Sequence, residues 1–406
     1  MTASDRAPWP SGIPLSSQES IPPEAVERAL EVMESGRLHR YGEGDGEPSE
    51  ASRLEADFAR ELGVRYCVAM NSCGSTLFVA LRAMGVGHGD RVLANCFTLA
   101  PVPGAIAHTG AEAVLVDSLG DYTIDLDDLA GKARDSGASV LLLSHMRGHI
   151  CDMEKLDAVC AELGVRVVED CAHTMGASWN GRPSGTWGQI GCFSLQSYKH
   201  ANAGEGGLLV TDDEDIAAQA ILLSGAYMFY DTHVARPESA VFERWKYRTP
   251  NFSLRLSNVS AAITRPQLGH VLRQRVRRWN DRYEWLRGAL TDIPHVRIPA
   301  RDPREQFVGS SIQFSIDGLD SGAIERFINA CAARGLPVKW FGAGQPQGYT
   351  SIWEHWRFVE REQSLPNAER LLSGLCDLRI PLGLTEADCQ AIGGLVRDEM
   401  QRVAGD

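Results

Sequence analysis

Short apolar runs that do not alternate constrain this chain most. They stand at 66–71, 91–95, 113–117, 139–144, 191–196 and 207–211, and a further run, Val165-Arg166-Val167-Val168, ends in Glu169-Asp170. A strand apolar on both sides needs cover on both sides, as parallel strands have in α/β proteins. Helical patterns lie between the runs. Pro22-Pro23 opens a helix with Val26, Leu30 and Met33 on one face. Ser49 or Ser52 caps a second, which carries Leu54, Phe58 and Leu62 and stops at Gly63. The same helix stop recurs at Glu162-Leu163-Gly164-Val165. This order predicts an α/β fold, a mostly parallel mixed sheet covered by helices. Its ligand is expected beyond the carboxyl ends of the strands.

A chain of 406 residues is too long for one compact core. The texture changes near residue 270. We expect a large domain at 38–270 and a smaller C-terminal α/β domain at 271–406, joined by the N-terminal segment 1–37. A stretch with Arg273, Arg275, Arg277, Arg278, Arg282 and Arg287 reads as a solvated or subunit-facing helix.

The net charge of −13 speaks against a nucleic-acid or membrane-surface partner. No run of about 18 apolar residues marks a transmembrane helix. The stretch from Met1 to Gln18 is polar and lacks the apolar centre of a signal peptide. The ten cysteines form no C-x-x-C pair and no Cys/His cluster at zinc spacing. The expectation is a cytoplasmic protein with buried reduced thiols and no metal.

The chemistry gathers around Asp170, Lys199 and the glycine-rich Gly204-Glu205-Gly206-Gly207. A strand-end carboxylate and a lysine beside a glycine loop suit pyridoxal phosphate (PLP). Its aldehyde needs an amine for a Schiff base, and its ring nitrogen needs a carboxylate to stay protonated. Lys199 is the candidate amine and Asp170 the candidate ring partner. A lysine with its ordinary pKa of about 10.4 is a poor nucleophile, and burial beside a cation corrects this. Asn71-Ser72-Cys73-Gly74-Ser75-Thr76 leaves a strand and enters a helix, whose free N–H groups suit a phosphate. Ser194 adds a hydroxyl to the same group. His173 either presses against the ring or is a satisfied core histidine.

Together these segments resemble the PLP-dependent sugar aminotransferases of the DegT/StrS type, within the aspartate-aminotransferase-like fold (PLP-transferase type I). The resemblance also covers Ser35-Gly36-Arg37-Leu38, Gly85-Val86-Gly87-His88-Gly89-Asp90, Arg255-Leu256-Ser257-Asn258 and the stretch from Leu382 to Ile392. It implies that Lys199 carries PLP, that Asp170 holds the ring nitrogen, and that His173 stands where Gln is usual. Gly74, Ser75 and Ser194 would bind the phosphate. It implies a homodimer with shared sites, in which Ser253, with Asn251 nearby, reaches the partner's phosphate. Leu99 follows Phe97-Thr98 where an aromatic normally stacks on the ring, and Ser253 replaces a common Asn. His145-Met146-Arg147-Gly148-His149 replaces a segment that more often carries an aromatic and a Gln. Arg147 and His149 then either select an anionic substrate or, for Arg147, pair with a neighbouring acid.

The implied reaction is ping-pong transfer of an amine from glutamate or glutamine to a keto-sugar, cyclitol ketone or related oxo-intermediate. A dehydratase or eliminase on the same scaffold is the alternative. The sugar dehydratases of this type carry His in place of the lysine, so Lys199 favours transamination. A PLP-binding regulator is the third reading, against which stands the absence of a helix-turn-helix or a basic face.

Overall fold

The computed structural model describes residues 12–41, 47–345, 352–359 and 363–405. Seven strands form the large sheet: β1 (Tyr66–Met70), β2 (Arg91–Asn95), β3 (Glu112–Val116), β4 (Val140–Ser144), β5 (Arg166–Asp170), β6 (Ile190–Ser194) and β7 (Gly207–Thr211). Their order across the sheet is β1-β7-β6-β5-β4-β2-β3. Strands β2 to β6 are joined by parallel pairings. Only β7 runs against its neighbours β1 and β6. β1, β4, β6 and β7 are buried at every residue. Cover on both faces is why their sequences show no alternation. The protein is an α/β chain with a mostly parallel mixed sheet covered by helices.

Helix α1 (Pro23–Ser35) turns the other way from the sequence expectation. Ala25, Ala29 and Val32 are buried, whereas Val26, Leu30 and Met33 are 45%, 51% and 57% exposed. The buried face packs on the helix Asn258–Thr264, and its small side chains allow that approach. Helix α2 (Glu50–Leu62) follows the expectation. Ser49 Oγ accepts from the Ser52 N–H at 3.2 Å, Gly63 closes the helix at φ 73°, and Leu54 and Phe58 are buried. Beneath α2 lies a buried ion cluster. Both Glu55 carboxylate oxygens accept from Arg40, at 2.6 and 2.8 Å, and His233 Nδ1 lies 2.9 Å from Glu55 Oε2.

A second, antiparallel sheet is built from β8 (Val296–Arg297), β9 (Ser311–Ile316), β10 (Lys339–Trp340) and β11 (Leu375–Arg379), in the order β8-β9-β11-β10. Helices His270–Leu290, Ser321–Ala333 and Glu386–Ala404 pack with it, and Leu15 of the N-terminal segment joins the same core. The arginine-rich stretch is the first of these helices. One of its arginines contradicts the solvated reading: Arg275 is buried and donates to the carbonyls of Ser20 and His200 and to Gln267 Oε1. It ties the N-terminal segment to the loop behind Lys199. All ten cysteines are free, and Cys73 alone is not fully buried. Among the described residues no helix is long and apolar enough to cross a membrane.

Candidate active site

Four neighbouring parallel strands end in polar residues: Asn95 (β2), Ser144 (β4), Asp170 (β5) and Ser194 (β6). Ser144 and Asp170 are register partners. The Ser144 hydroxyl donates to Asp170 Oδ2 at 2.8 Å, and the Ala172 N–H donates to Oδ1 at 3.1 Å. Asn95 holds Ser144 in turn, accepting from its N–H at 2.8 Å and donating to its carbonyl at 3.0 Å. The adjacent Glu169 serves the fold. Its carboxylate accepts from the N–H groups of Gly185, Trp187 and Gly188 and bonds the His145 ring at 3.0 Å.

Lys199 sits in the loop between β6 and β7, pinned by the Lys199 N–H to the Gln196 carbonyl at 2.8 Å and by the Ala203 N–H to the Leu195 carbonyl at 2.9 Å. Its Nζ lies 2.9 Å from His173 Nε2. Burial and the Arg147 guanidinium bring the Lys199 amine down to about 8, against the opposing pull of Asp170 and Cys73. Burial, Lys199 and Arg147 hold His173 well below the ordinary imidazole range. A neutral His173 thus accepts from the Lys199 ammonium.

Helix α3 (Cys73–Ala83) starts beside these groups. Its cap is Ser72, whose Oγ accepts from the Ser75 N–H at 3.0 Å, while the Ser75 hydroxyl donates to Asn71 at 2.6 Å. Gly207, at the start of β7, lets that strand pass under the cap. A Cβ there would lie 2.5 Å from the Ser72 carbonyl oxygen.

A cavity of about 390 Å³ has Gly74, Leu99, Asp170, His173, Ser194 and Lys199 in its wall. Its volume falls in the range of small-ligand sites. A larger opening, about 800 Å³, lies between Tyr41, Ser49, Phe229 and Val234, and no lysine lines it. The smaller cavity fits PLP. A carboxylate and an amine face it, Leu77 and Val102 add apolar lining, and a helix start opens onto it.

Ser75 and the other expected residues, Asn251, Ser253, Arg147 and His149, lie outside that wall. Asn251 and Ser253 are exposed, and the Asn251 amide donates to the Leu222 carbonyl of its own chain at 3.0 Å. His149 is buried between the two sheets, with Nε2 2.7 Å from Gln313 Oε1 and its ring edge-on to Tyr122. It does not face the cavity. Arg147 takes the left-handed conformation at φ 56° and pairs with Asp377 Oδ2 at 2.9 Å. Gln313 also donates to Asp377 Oδ1 at 2.7 Å. His149, Gln313, Asp377 and Arg147 therefore form one chain of contacts. Sequence reading passed over Ser144, Gln313 and Asp377. Ser144 carried a signal, being the polar end of an apolar run aligned with that of Asp170.

Residues 19–397 match the DegT/DnrJ/EryC1/StrS aminotransferase family. A GDP-perosamine synthase of Caulobacter vibrioides is 32% identical over 254 residues, 61% of this chain and 65% of that relative. A putative L-glutamine:3-amino-2,3-dideoxy-scyllo-inosose aminotransferase of Micromonospora echinospora is 29% identical over 345 residues, 81% of this chain and 75% of the relative. The solved structure of 3-amino-5-hydroxybenzoic acid synthase superposes at a TM-score of 0.82 and 25% identity, over 98% of this chain and 100% of that one. Fold and site define a PLP-dependent transferase. The chain belongs to the DegT/DnrJ/EryC1/StrS aminotransferase family, and it is an enzyme.

Proposed function

We propose that this enzyme moves an amino group from glutamate or glutamine to the carbonyl of a keto-sugar, cyclitol ketone or related oxo-intermediate in secondary metabolism. One observation carries the reading: the Lys199 amine, brought down to about 8, and the Asp170 carboxylate face a single cavity. The names of the perosamine and scyllo-inosose relatives support the acceptor class, and the latter supports glutamine as donor.

PLP supplies an aldehyde that Lys199 can bond and, once its ring nitrogen is protonated, an electron sink. Asp170, steadied by Ser144 and the Ala172 N–H, keeps the proton on that nitrogen. Lys199 Nζ, when free, takes the proton from the donor's α-carbon and delivers it onward. Its depressed pKa leaves a useful neutral fraction near pH 7. His173 Nε2 holds the amine in place between these acts. Gly74, Ser75 and Ser194 cradle the phosphate. The Ser75 N–H and hydroxyl are already committed to Ser72 and Asn71, so the Gly74 N–H is the freer donor. Leu99 gives the ring an apolar cover.

The same reading keeps the division at 38–270 and 271–406 and makes the enzyme a cytoplasmic homodimer. Asn251 and Ser253 then serve the partner's phosphate. Exposed Tyr227, Met228, Tyr247 and Phe252, near that segment in sequence, support it, as large apolar side chains left in solvent call for cover.

The test is multiple-turnover amine transfer with PLP, glutamate or glutamine, and a panel of keto-acceptors. Wild-type protein should convert bound PLP to pyridoxamine phosphate, and Lys199→Ala should not. Full activity in Lys199→Ala, or no conversion by any amino acid, overturns the proposal.

A further inference from the structure

The second sheet carries a set of cations that the reaction described above does not use. In register across it, Lys339 (β10), Asp377 (β11) and Gln313 (β9) are successive partners, and Arg379 lies two residues beyond Asp377 on the same strand. Side chains two apart on a strand share a face. Arg379 reaches the loop that holds Lys199, donating to the Tyr198 carbonyl at 3.1 Å with its guanidinium 4.2 Å from the Tyr198 ring centre. From the large domain, Arg147 comes to the same place. Its neighbour Gly148 abuts the His173 backbone so closely that a Cβ would lie 3.3 Å from the His173 carbonyl oxygen. The two arginines thus flank the two residues, His173 and Lys199, whose side chains are in contact.

The charges here do not balance. Arg147, Lys339 and Arg379 share one close carboxylate, Asp377, which pairs with Arg147. Among the described residues no carboxylate oxygen lies within 4 Å of Lys339 or Arg379. The next acid is Glu19, near Arg379, whose carboxylate accepts from the Leu382 N–H at 2.8 Å. Arg147 keeps its Nε buried without a partner. Burial and Arg147 bring the Lys339 amine down to about 8 and lower Arg379, as expected where positive charge is crowded.

The arrangement is also fixed. Asp377 is held by Gln313, and Gln313 by the buried His149. A ping-pong enzyme uses one pocket for both half-reactions. In the first, the donor's carboxylate can answer the surplus charge. In the second, the same cations stand at the edge of that pocket, Arg379 sharing the wall of an adjoining cleft with Lys199, and a neutral ketone would leave them unanswered.

We propose that Arg147, Lys339 and Arg379 form an anion subsite beside Lys199, and that the acceptor carries a carboxylate or phosphate within a few bonds of its reacting carbonyl. This rests on the aminotransferase reading and deepens it. Arg147 and Arg379 present planar forks suited to such oxyanions. His149 is a positioning residue that acts on Arg147 through Gln313 and Asp377. An anion placed here lies at the acceptor's own ring or chain, unlike the diphosphate of a remote nucleotide.

The test uses holoenzyme loaded with pyridoxamine phosphate and two matched pairs of ketones: pyruvate against acetone, and dihydroxyacetone phosphate against dihydroxyacetone. Glutarate binding to the PLP form, followed by calorimetry, gives a readout free of turnover. Wild type should favour the charged member of at least one pair. Arg147→Gln should weaken glutarate binding and raise the KM of the favoured anion about ten- to a hundred-fold. It should leave the KM of the neutral ketones unchanged, while the raised Lys199 value lowers kcat on charged and neutral ketones alike, and Arg147→Lys should recover part of the rise in KM. Lys339→Met, which leaves the Arg147–Asp377 pair intact, should weaken the same anions. A preference confined to pyruvate assigns the subsite to a carboxylate, and one confined to dihydroxyacetone phosphate to a phosphate. Equal use of charged and neutral ketones by wild type overturns the subsite, as does an equal rise in KM on both in Arg147→Gln or no change in the anions' KM in Lys339→Met. Failure of every amino donor would instead remove the aminotransferase reading, which glutarate binding does not depend on.

Discussion

Ser144 and Asp170 end adjacent parallel strands as register partners, and the serine hydroxyl donates to the aspartate at 2.8 Å. The carboxylate that faces the cavity is thus aimed by the neighbouring strand as well as by its own. A hydrogen bond to a charged group contributes about 1.5–3 kcal/mol. Ser144→Ala should therefore slow kcat about ten-fold, with little change in donor KM and no loss of fold. Steady-state kinetics on the holoenzyme decide this, and an unchanged kcat would reduce Ser144 to a strand-end cap.

The Lys199 amine is protonated below about 8 and free above it. Arg147 is one of the causes that lower this value, so its removal must raise it. In the apo-protein, Arg147→Gln should shift the titration of Lys199 upward, as followed by NMR of the reductively methylated amine. A shift downward, or none, would mean that Arg147 does not act on Lys199.

Burial alone would raise the Glu55 carboxyl, but Arg40 and His233 overcome it and bring the group to about 2, below its ordinary 4.5. A depressed carboxylate stabilises the fold fully above its unfolded value, and that contribution fades as pH falls from about 4.5 towards 2. Glu55→Leu leaves Arg40 buried without its partner and should cost about 3–5 kcal/mol. Urea unfolding at pH 7 and at pH 3 measures both effects. The gap between wild type and variant should narrow in acid.

Gly207 permits a close passage of β7 beneath Ser72, where a Cβ would strike backbone at 2.5 Å. Gly207→Ala must push the start of α3 aside. We expect at least ten-fold weaker retention of PLP, read by dialysis and absorbance, in a protein whose far-ultraviolet dichroism is unchanged. Normal retention would show that the helix start can shift without harm.

Much of the large sheet was legible beforehand because buried strands announce themselves as unbroken apolar runs. Arg91–Asn95 and Gly207–Thr211 fall on their expected bounds. The placing of Asp170 and Lys199 at one cavity follows from strand-end logic. Helix α1 misled because Val26, Leu30 and Met33 form as regular an apolar stripe as Ala25, Ala29 and Val32. Only the small size of the second set, and the helix it meets, decide which side turns inward. The cations of the second sheet were hidden for another reason. β10 is two residues long and carries no periodicity, and the pairing of Arg147 with Asp377 joins remote segments. His149 looked like a substrate ligand because it neighbours Arg147 in sequence, yet in space it stands behind the arginine.

Arg147 holds a backbone shape that glycine adopts freely and that costs a side-chain-bearing residue about 1–2 kcal/mol. The shape persists because pairing with Asp377 outweighs that strain: glycine at this corner would relax the backbone but leave a buried carboxylate without its cation. Screens for heat resistance should therefore keep the arginine, so sturdiness and choosiness about what is aminated are inherited together at this one corner.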